Sequence, residues 1–197
     1  VTPIVAQLFG AKKYEEIGQK VREILWVSIA LGLIGFILYR NLSFFIPFFD
    51  IDENIALISD GYLKAMSYGF IANMIFTCLR CYSEGMGLTL PVFWVAFIGL
   101  LLNIPLDIIF VYGYFGIPPM GGVGCGIATS INIVIGVIVL VLVILKKKEY
   151  APTKIFSKFS LPNSETTKEA LKLGLPIGFG VFVELSTVSY THLTLPT

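Results

Sequence analysis

The sequence predicts an all-α fold, a polytopic bundle of transmembrane helices. Of its 197 residues 56% are hydrophobic and 14% are charged, whereas a soluble domain carries about 25% charged residues. Apolar residues in this excess would leave large apolar patches on a soluble protein. The net charge of +1 and the three cysteines, an odd number, give no sign of nucleic-acid binding or of a disulfide framework. These observations exclude an ordinary soluble enzyme, a disordered chain and a secreted disulfide scaffold.

Four complete membrane segments are predicted, because a spanning helix needs about 20 mostly apolar residues. They are 24–46, 62–81, 88–112 and 121–145. The segment 62–81 is the weakest, since Lys64 and Arg80 lie near its ends. A fifth segment, 169–189, follows a capping-box pattern formed by Thr166 and Glu169.

We make a separate prediction for each end of the chain. Residues 1–9 are apolar and are predicted to be the end of a helix already under way, with no charged region of a signal peptide. Residues 190–197 are polar and rich in threonine, and we expect them to break the preceding apolar run after Ser189. We interpret them as a foreign tail on a truncated reading frame, and we therefore give His192 no functional weight.

The charges of the connecting segments predict the orientation. Placing 10–22, 83–89 and 146–168 in the cytoplasm puts all but two of the 14 basic residues, Arg40 and Lys64, on that side. The opposite side then holds the acidic segment 50–60 and the uncharged, glycine-rich segment 112–126. This distribution agrees with the positive-inside rule and predicts a multi-pass protein of the cell (inner) membrane.

Asp107 is the only charged residue between Glu84 and Lys146. An acidic side chain within the membrane is costly and usually faces an interior cavity. Asn103 lies four residues earlier, on the same helix face, and Pro105 predicts a kink because it leaves the carbonyl of Leu101 without its helical donor. A carboxylate, an amide and a free carbonyl on one face suit a proton or a hard cation such as Na⁺. The alternative is a structural kink whose polar pair is satisfied by neighbouring helices.

Two further polar residues lie in apolar runs. Thr129 is close to the start of its segment, where its hydroxyl either joins the Asn103 and Asp107 pair or bonds the carbonyl four residues earlier. Glu184 is a second intramembrane carboxylate, eight residues after the helix-kinking Pro176, unless it lies at a membrane interface.

Arg80 and Glu84 are four residues apart at a helix end, and we interpret them as a structural or gating ion pair. Two glycine pairs, Gly122 with Gly126 and Gly174 with Gly178, have the spacing that favours close helix packing. Catalytic and nucleotide-binding motifs are missing from the sequence, including H-E-x-x-H, G-x-S-x-G and G-x-G-x-x-G. We therefore expect no enzyme activity and no cofactor.

Several local patterns, in order along the chain, resemble the MATE (multidrug and toxic compound extrusion) family. They are TPIVAQLFGA at 2–11, LRCYSEG at 79–85 with TLP at 89–91, LNIPLDIIFVYG at 102–113 with GGVGCGIAT at 121–129, and LGLPIG at 173–178 continuing to Glu184. The resemblance implies a twelve-helix secondary transporter with two six-helix lobes around a central cavity. The chain would then run from the end of helix 2 to the start of helix 7.

The resemblance also implies a division of the chain. Residues 1–145 would form most of the amino-terminal lobe, and 146–168 a basic cytoplasmic loop between the lobes. Residues 169–189 would be the truncated first helix of the second lobe, followed by the foreign tail 190–197.

By motif position, the resemblance places cation or substrate binding at Asn103, Asp107, Thr129 and Glu184. It implies exchange of Na⁺ or H⁺ for small cationic or amphipathic drugs by alternating access, with the coupling ion in place of a cofactor. We hypothesise that H⁺ or Na⁺ neutralises Asp107, allows the helix to bend at Pro105 and weakens the site for a cationic substrate. Contact with the lipid bilayer is expected, and neither nucleic acid nor an obligate protein partner is.

The sequence leaves two alternatives open. A polysaccharide or lipid-linked oligosaccharide flippase of related two-lobe architecture would be indicated by an arginine-rich cavity, and the middle segments contain no deep arginine. A non-transporting membrane subunit would lack the second six-helix half.

Overall fold

The computed structural model describes residues 1–48, 52–157 and 160–194. Asp50, Lys158 and the last three residues of the tail lie outside these ranges. The described residues form helices and no strands, so the all-α class is confirmed. The helices are α1 (Thr2–Gly10), α2 (Tyr14–Asn41), α3 (Glu53–Gly85), α4 (Thr89–Tyr112), α5 (Gly122–Lys146) and α6 (Ser164–Thr194), with 3-10 segments at Leu42–Phe48 and Lys148–Thr153.

Four of the described helices are long and apolar enough to cross a membrane. They are α2 with its 3-10 extension (Tyr14–Ile46), α4, α5 and the Ser164–Thr187 part of α6. The 24 residues of α4 are about 36 Å long, more than the roughly 30 Å of a bilayer core. The segment 62–81 lies inside α3, which is long enough but is not among these four helices. Its assignment as a span therefore stays a prediction.

The prediction of a loop over 10–22 is wrong for most of its length. Only residues 11–13 separate α1 from α2, and the helix continues from Tyr14 without a break into the apolar segment. Ile17 and Val21 are four residues apart in the sequence, which is helical spacing, and both are fully buried. The charged face of this stretch suggested a loop, but glutamates in the first turn are favourable at a helix N-terminus.

Helix α3 lies at the centre of the bundle, where it packs against α1, α2, α4 and α5. Gly126 of α5 sits so close to α3 that a Cβ atom would lie 3.0 Å from the carbonyl oxygen of Tyr62. Gly122 also faces α3, so the predicted role of this glycine pair is confirmed. Gly174 and Gly178 of α6 have no atom of another described element within 4 Å of a Cβ position, and they form no close helix contact here.

The densest apolar core lies at one end of the bundle, the end predicted to be cytoplasmic. It joins α1, the start of α2, the end of α3, the start of α4, the end of α5 and the connection that follows α5. The buried members are Ile4, Val5, Ile17, Val21, Ile24, Cys78, Leu79, Tyr82, Met86, Val95, Leu140, Ile144, Tyr150 and Ile155. Five helices and the connection are therefore held together at this end.

Helix α6 differs from its prediction at both ends. It begins at Ser164, inside the predicted loop 146–168, because the Asn163 side chain accepts a hydrogen bond from the amide of Glu165 at 3.0 Å. The predicted capping box is wrong, since Thr166 donates to Glu23 of α2 and Glu169 pairs with Lys20. The helical backbone continues through Thr194, beyond the end of the apolar run at Ser189. The foreign origin of 190–197 and the division into lobes stay predictions.

Candidate functional site

Asn103 and Asp107 form the centre of the candidate site, on one face of α4. The Asn103 amide nitrogen Nδ2 donates to Asp107 Oδ2 at 2.5 Å, and both side chains are half-buried. The spacing of four residues therefore brings the two side chains together as predicted. The hydrogen bond is charge-assisted when the carboxylate is ionised, which makes it stronger than a bond between neutral groups.

Asn132 of α5 extends this pair across the helix interface, and the sequence interpretation missed it. Its Nδ2 donates to Asn103 Oδ1 at 3.3 Å. The three side chains form a directed chain from Asn132 to Asn103 to Asp107. A signal was present in the sequence, because an amide inside the apolar segment 121–145 is a polar group that needs a partner.

Two oxygens of this cluster are buried without a hydrogen-bond partner among the described residues: Asp107 Oδ1 and Asn132 Oδ1. A buried acceptor without a donor is costly in a protein interior. The free carboxylate oxygen fits a proton or a hard monovalent cation, both of which would supply the missing positive partner. The described residues contain no group of three or more His, Cys, Asp and Glu side chains that could hold a transition metal.

Pro105 lies between the two members of the pair, and α4 continues through it without interruption. Proline has no backbone N–H, so the carbonyl of Leu101 lacks its helical donor. The side chain of Pro105 is exposed on the bundle surface. The missing hydrogen bond weakens the helix close to the carboxylate, and the kink at Pro105 stays a prediction.

Thr129 does not bond directly to Asn103 or Asp107 in this structure. The thiol of Cys125 interacts with both the Asp107 carboxylate and the Thr129 hydroxyl. Thr129 thus approaches the cluster through Cys125, its neighbour one turn earlier on α5. Two hydrogen bonds were predicted as alternatives for the Thr129 hydroxyl, one to the Asn103 and Asp107 pair and one to the carbonyl four residues earlier. The structure shows neither of them.

A cavity of about 350 Å³ adjoins the cluster between α3, α4 and α5. Apolar and small residues make up most of its wall, and three amides, those of Asn73, Asn103 and Asn132, face it. An apolar cavity with a few polar groups is the usual form of a small-molecule site. The lining residues are Asn73, Phe76, Val95, Ala96, Gly99, Leu100, Asn103, Asn132, Ile133 and Gly136.

Two predicted sites lie apart from this cluster. Glu184 and Pro176 are exposed on α6, whose contacts within the described residues are with α2 alone. The structure therefore does not bring Glu184 to Asp107. Arg80 and Glu84 form the predicted ion pair near the end of α3, with 3.7 Å between Nε and Oε1; Arg80 is exposed and Glu84 is half-buried.

A second polar cluster joins the start of α2 to the connection between α5 and α6. Arg22 donates to Ser160 Oγ at 2.9 Å and to the carbonyl of Lys154 at 3.0 Å. Gly18 of α2 lies directly against the carbonyl of Thr153. These contacts attach the connection between α5 and α6 to α2 at several points.

The same cluster continues into buried side chains on either side. Thr153 Oγ1 is 2.7 Å from the hydroxyl of Tyr82 and donates to the carbonyl of Tyr150 at 2.8 Å. Burial raises the pKa of the Tyr150 phenol above its usual value. Glu23 of α2 is 3% exposed and accepts from Gln19 and from Thr166 of α6. A buried carboxylate thus links α2 to the first turn of α6.

Helices of membrane-spanning length, with a carboxylate and two amides beside an apolar cavity, define the class: a multi-pass α-helical membrane protein with an ionisable group in its interior. Within that class, the chain belongs to the MatE family, whose family model matches residues 1–109. It is accordingly a multi-pass protein of the inner membrane.

Curated relatives and solved structures agree with this assignment. The chain is 37% identical to the multidrug resistance protein NorM of Vibrio cholerae over 193 residues, covering 98% of the chain and 42% of the relative. It is also 37% identical to the probable multidrug resistance protein NorM of Acinetobacter baylyi, with 98% and 43% covered. The chain therefore spans about two fifths of the length of the curated relatives it matches.

Two solved structures share the fold. The first is an inward-facing multidrug resistance MATE family transporter of the MOP superfamily, with a TM-score of 0.75 and 22% identity, over 89% of this chain and 39% of that one. The second is the MATE transporter NorM-NG in complex with a small molecule and a monobody, with a TM-score of 0.67 and 30% identity, over 99% and 43%. The first likeness concerns the fold alone.

Proposed function

We propose that the chain is part of a cation-coupled multidrug efflux antiporter, which exchanges Na⁺ or H⁺ for small cationic or amphipathic compounds by alternating access. The observation that carries the proposal is the buried, unpartnered oxygen of Asp107, whose hydrogen-bond partner Asn103 lines an apolar cavity. The naming of relatives as multidrug resistance proteins and the small molecule bound to NorM-NG support it. In this proposal the protein acts as a transporter and not as an enzyme.

The coupling follows from the charge of Asp107. An ionised carboxylate next to an apolar cavity attracts a cationic substrate, and the apolar wall accommodates the rest of that molecule. A proton or Na⁺ that binds Asp107 removes this attraction. Ion and substrate therefore compete for one negative charge, and a ligand that binds one conformation better than the other shifts the equilibrium between them.

The position of Pro105 couples ion binding to helix shape. The carbonyl of Leu101 lacks a helical donor, so bending α4 at this point breaks one hydrogen bond fewer than it would elsewhere. Neutralising Asp107 also weakens its bond to Asn103, because a bond to a neutral carboxyl is weaker than one to a carboxylate. We propose that ion binding thereby permits the part of α4 beyond Pro105 to move.

The composition of the cavity favours efflux of cations over the flippase alternative. Among the described residues, no arginine lines the cavity between α3, α4 and α5, whereas a site for an anionic, phosphate-bearing lipid carrier would use arginine. Asp107 would also repel such a substrate.

The test is Asp107→Asn in a full-length transporter that carries this segment. Efflux is measured as ethidium uptake into everted membrane vesicles, whose cytoplasmic face is outside, with an imposed Na⁺ or H⁺ gradient. We expect at least a tenfold loss of ion-coupled efflux, because the amide neither binds a proton nor attracts a cation. Asp60→Asn is the matched control, since Asp60 is paired with Lys64 of α3, and we expect it to retain coupling. Undiminished ion-coupled efflux by the Asp107 variant, at equal expression, would refute the proposal.

A further inference from the structure

One face of α2 changes from polar to apolar beside the connection between α5 and α6. Glu15 and Arg22 lie on this face, and Trp26 and Ile29 continue it at helical spacing. Two cavities border the face, a polar one of about 430 Å³ and an apolar one of about 300 Å³. Arg22 and Ser160 line both cavities. We call the two cavities together the interfacial groove, with a polar and an apolar part.

Arg22 lies where the two parts of the groove meet, and its guanidinium group is fixed without an ion pair. Its Nε donates to Ser160 Oγ at 2.9 Å, and its Nη1 donates to the carbonyls of Lys154 and Ile155 at 3.0 and 3.4 Å. Nη2 donates to none of the described residues, and none of their carboxylates forms an ion pair with Arg22. Glu23, the next residue, is buried and bonded to α6 instead. One terminal N–H₂ group of a positioned cation is therefore left for a ligand.

The charges of the polar part indicate which ligand fits. A planar guanidinium group with unused N–H groups is well suited to the oxygen atoms of a phosphate. Glu15 and Glu16 also line this part, and they pair with Lys154 at 2.7 Å and with Lys13 at 2.9 Å. Two carboxylates beside the phosphate position oppose a second negative charge and attract a positive one. The polar part thus fits one phosphate group followed by an ammonium group.

The apolar part leads from Arg22 into the membrane. Ile29 lies about 10 Å further along α2, at 1.5 Å per residue, and Leu33 beyond it is exposed on a helix long enough to span the bilayer. Trp26 donates through Nε1 to the carbonyl of Ser160 at 3.0 Å. A tryptophan with its N–H bonded and its ring on an apolar surface is typical of the membrane–water interface. The apolar part is therefore placed to receive an acyl chain.

We propose that the interfacial groove binds one molecule of a zwitterionic glycerophospholipid with an amine headgroup. Its phosphate lies on Arg22, its ammonium group faces Glu15 and Glu16, and one acyl chain follows Trp26 and Ile29. A soluble phosphate compound would leave the apolar part empty, and an anionic lipid with two phosphates would place its second charge against the carboxylates. The lipid is a structural ligand that contacts both α2 and the connection. Its binding does not depend on the transport proposed for Asp107.

The test uses phosphatidylethanolamine with a photoreactive diazirine on one acyl chain and the purified, delipidated full-length transporter that carries this segment. After irradiation in detergent, mass spectrometry measures the labelled fraction of residues 25–29 and 155–156 at increasing lipid concentration. We expect saturable labelling of both stretches in the wild type. In Arg22→Gln we expect half-saturation at an at least about tenfold higher concentration, because hydrogen bonds to the charged phosphate are lost.

Ile29→Trp is a second variant, because it fills the apolar part and keeps Arg22 with its contacts to the connection. We expect half-saturation to rise about tenfold, the loss caused when roughly two methylene groups leave the groove. This variant carries the test alone if Arg22→Gln does not fold.

Each variant has a matched control that leaves the groove intact. Arg80→Gln removes an arginine of α3 that is paired with Glu84 and does not line the groove. Ile37→Trp adds the same ring as Ile29→Trp at an exposed position of α2 outside the groove. We expect the half-saturation of both controls to equal that of the wild type.

Two other ligands test the choice of lipid. Phosphatidylglycerol with the same diazirine should require a higher concentration, because its headgroup has no ammonium group for the two carboxylates. Glycerophosphoethanolamine, which has the headgroup without acyl chains, should not compete. Equal half-saturation for phosphatidylglycerol, or competition by glycerophosphoethanolamine at the concentration at which the lipid binds, would overturn the proposal. Labelling that is absent or does not saturate in the wild type, or that stays unchanged in the folded Arg22 and Ile29 variants, would also overturn it.

Discussion

The attachment of the α5–α6 connection to α2 can be tested by replacing Gly18 with alanine. The added Cβ would lie 1.8 Å from the carbonyl oxygen of Thr153, whereas such atoms are practically never closer than 3.0 Å. The connection must therefore withdraw by about 1.2 Å, the difference between these distances. That shift lengthens the 2.7 Å contact between Tyr82 and Thr153 beyond hydrogen-bonding range.

The magnitude follows from the bonds that are lost. Two hydrogen bonds, one from Tyr82 and one from Arg22, contribute about 1 kcal/mol each, and strain from overpacking adds about 1 kcal/mol. Replacing glycine by alanine inside a helix stabilises the helix by about 1 kcal/mol, which offsets part of this loss. We expect a net destabilisation of about 2 kcal/mol.

The assays are thermal unfolding of the purified transporter in detergent and trypsin cleavage after Lys154. The variant should unfold at a lower temperature and be cleaved faster, because the carbonyl of Lys154 loses its bond with Arg22. Gly10→Ala is the control, since no described atom lies within 4 Å of its Cβ position. Equal unfolding temperatures and cleavage rates for Gly18→Ala and wild type would show that the connection is not held by α2.

Three further substitutions test other contacts through thermal unfolding. Gly124→Ala places a Cβ 2.3 Å from the carbonyl oxygen of Phe110, and we expect about 1–3 kcal/mol of destabilisation as α4 and α5 are forced apart; an unchanged unfolding temperature would contradict this close approach. Thr166→Val removes a hydrogen bond to the buried Glu23 and should lower the free energy of unfolding by about 1.5–3 kcal/mol. An unchanged stability would show that the two side chains are not in contact. Arg80→Gln breaks an exposed, long ion pair and should cost less than about 0.5 kcal/mol, so that a large loss would indicate a structural role that the geometry does not support.

The contacts and the burial that depend on the periodicity of a single helix could be predicted from the sequence. Asn103 and Asp107 meet because four residues make about one turn, and Ile17 and Val21 are buried because the same arithmetic places them on one face. Asn132 belongs to another helix, and its distance from Asn103 depends on how α4 and α5 pack, which no spacing within one segment specifies.

The predicted ends of helices failed for a related reason. Residues 14–22 were assigned to a loop from their charges, but one face of that stretch is covered by the core. The start of α6 was assigned from Thr166 and Glu169, whose side chains instead pair with Glu23 and Lys20 of α2. In both cases contacts with other parts of the fold, and not the local sequence pattern, determine where the helix begins.

The connection between α5 and α6 differs mechanically from a free chain. A free chain of the length from 147 to 163 would act as a slack tether, with an end-to-end distance that fluctuates widely. Here Thr153, Lys154 and Ser160 are bonded to α2 or α3. The connection therefore differs from a slack tether, and it delivers α6 to α2 at the hydrogen bond between Thr166 and Glu23.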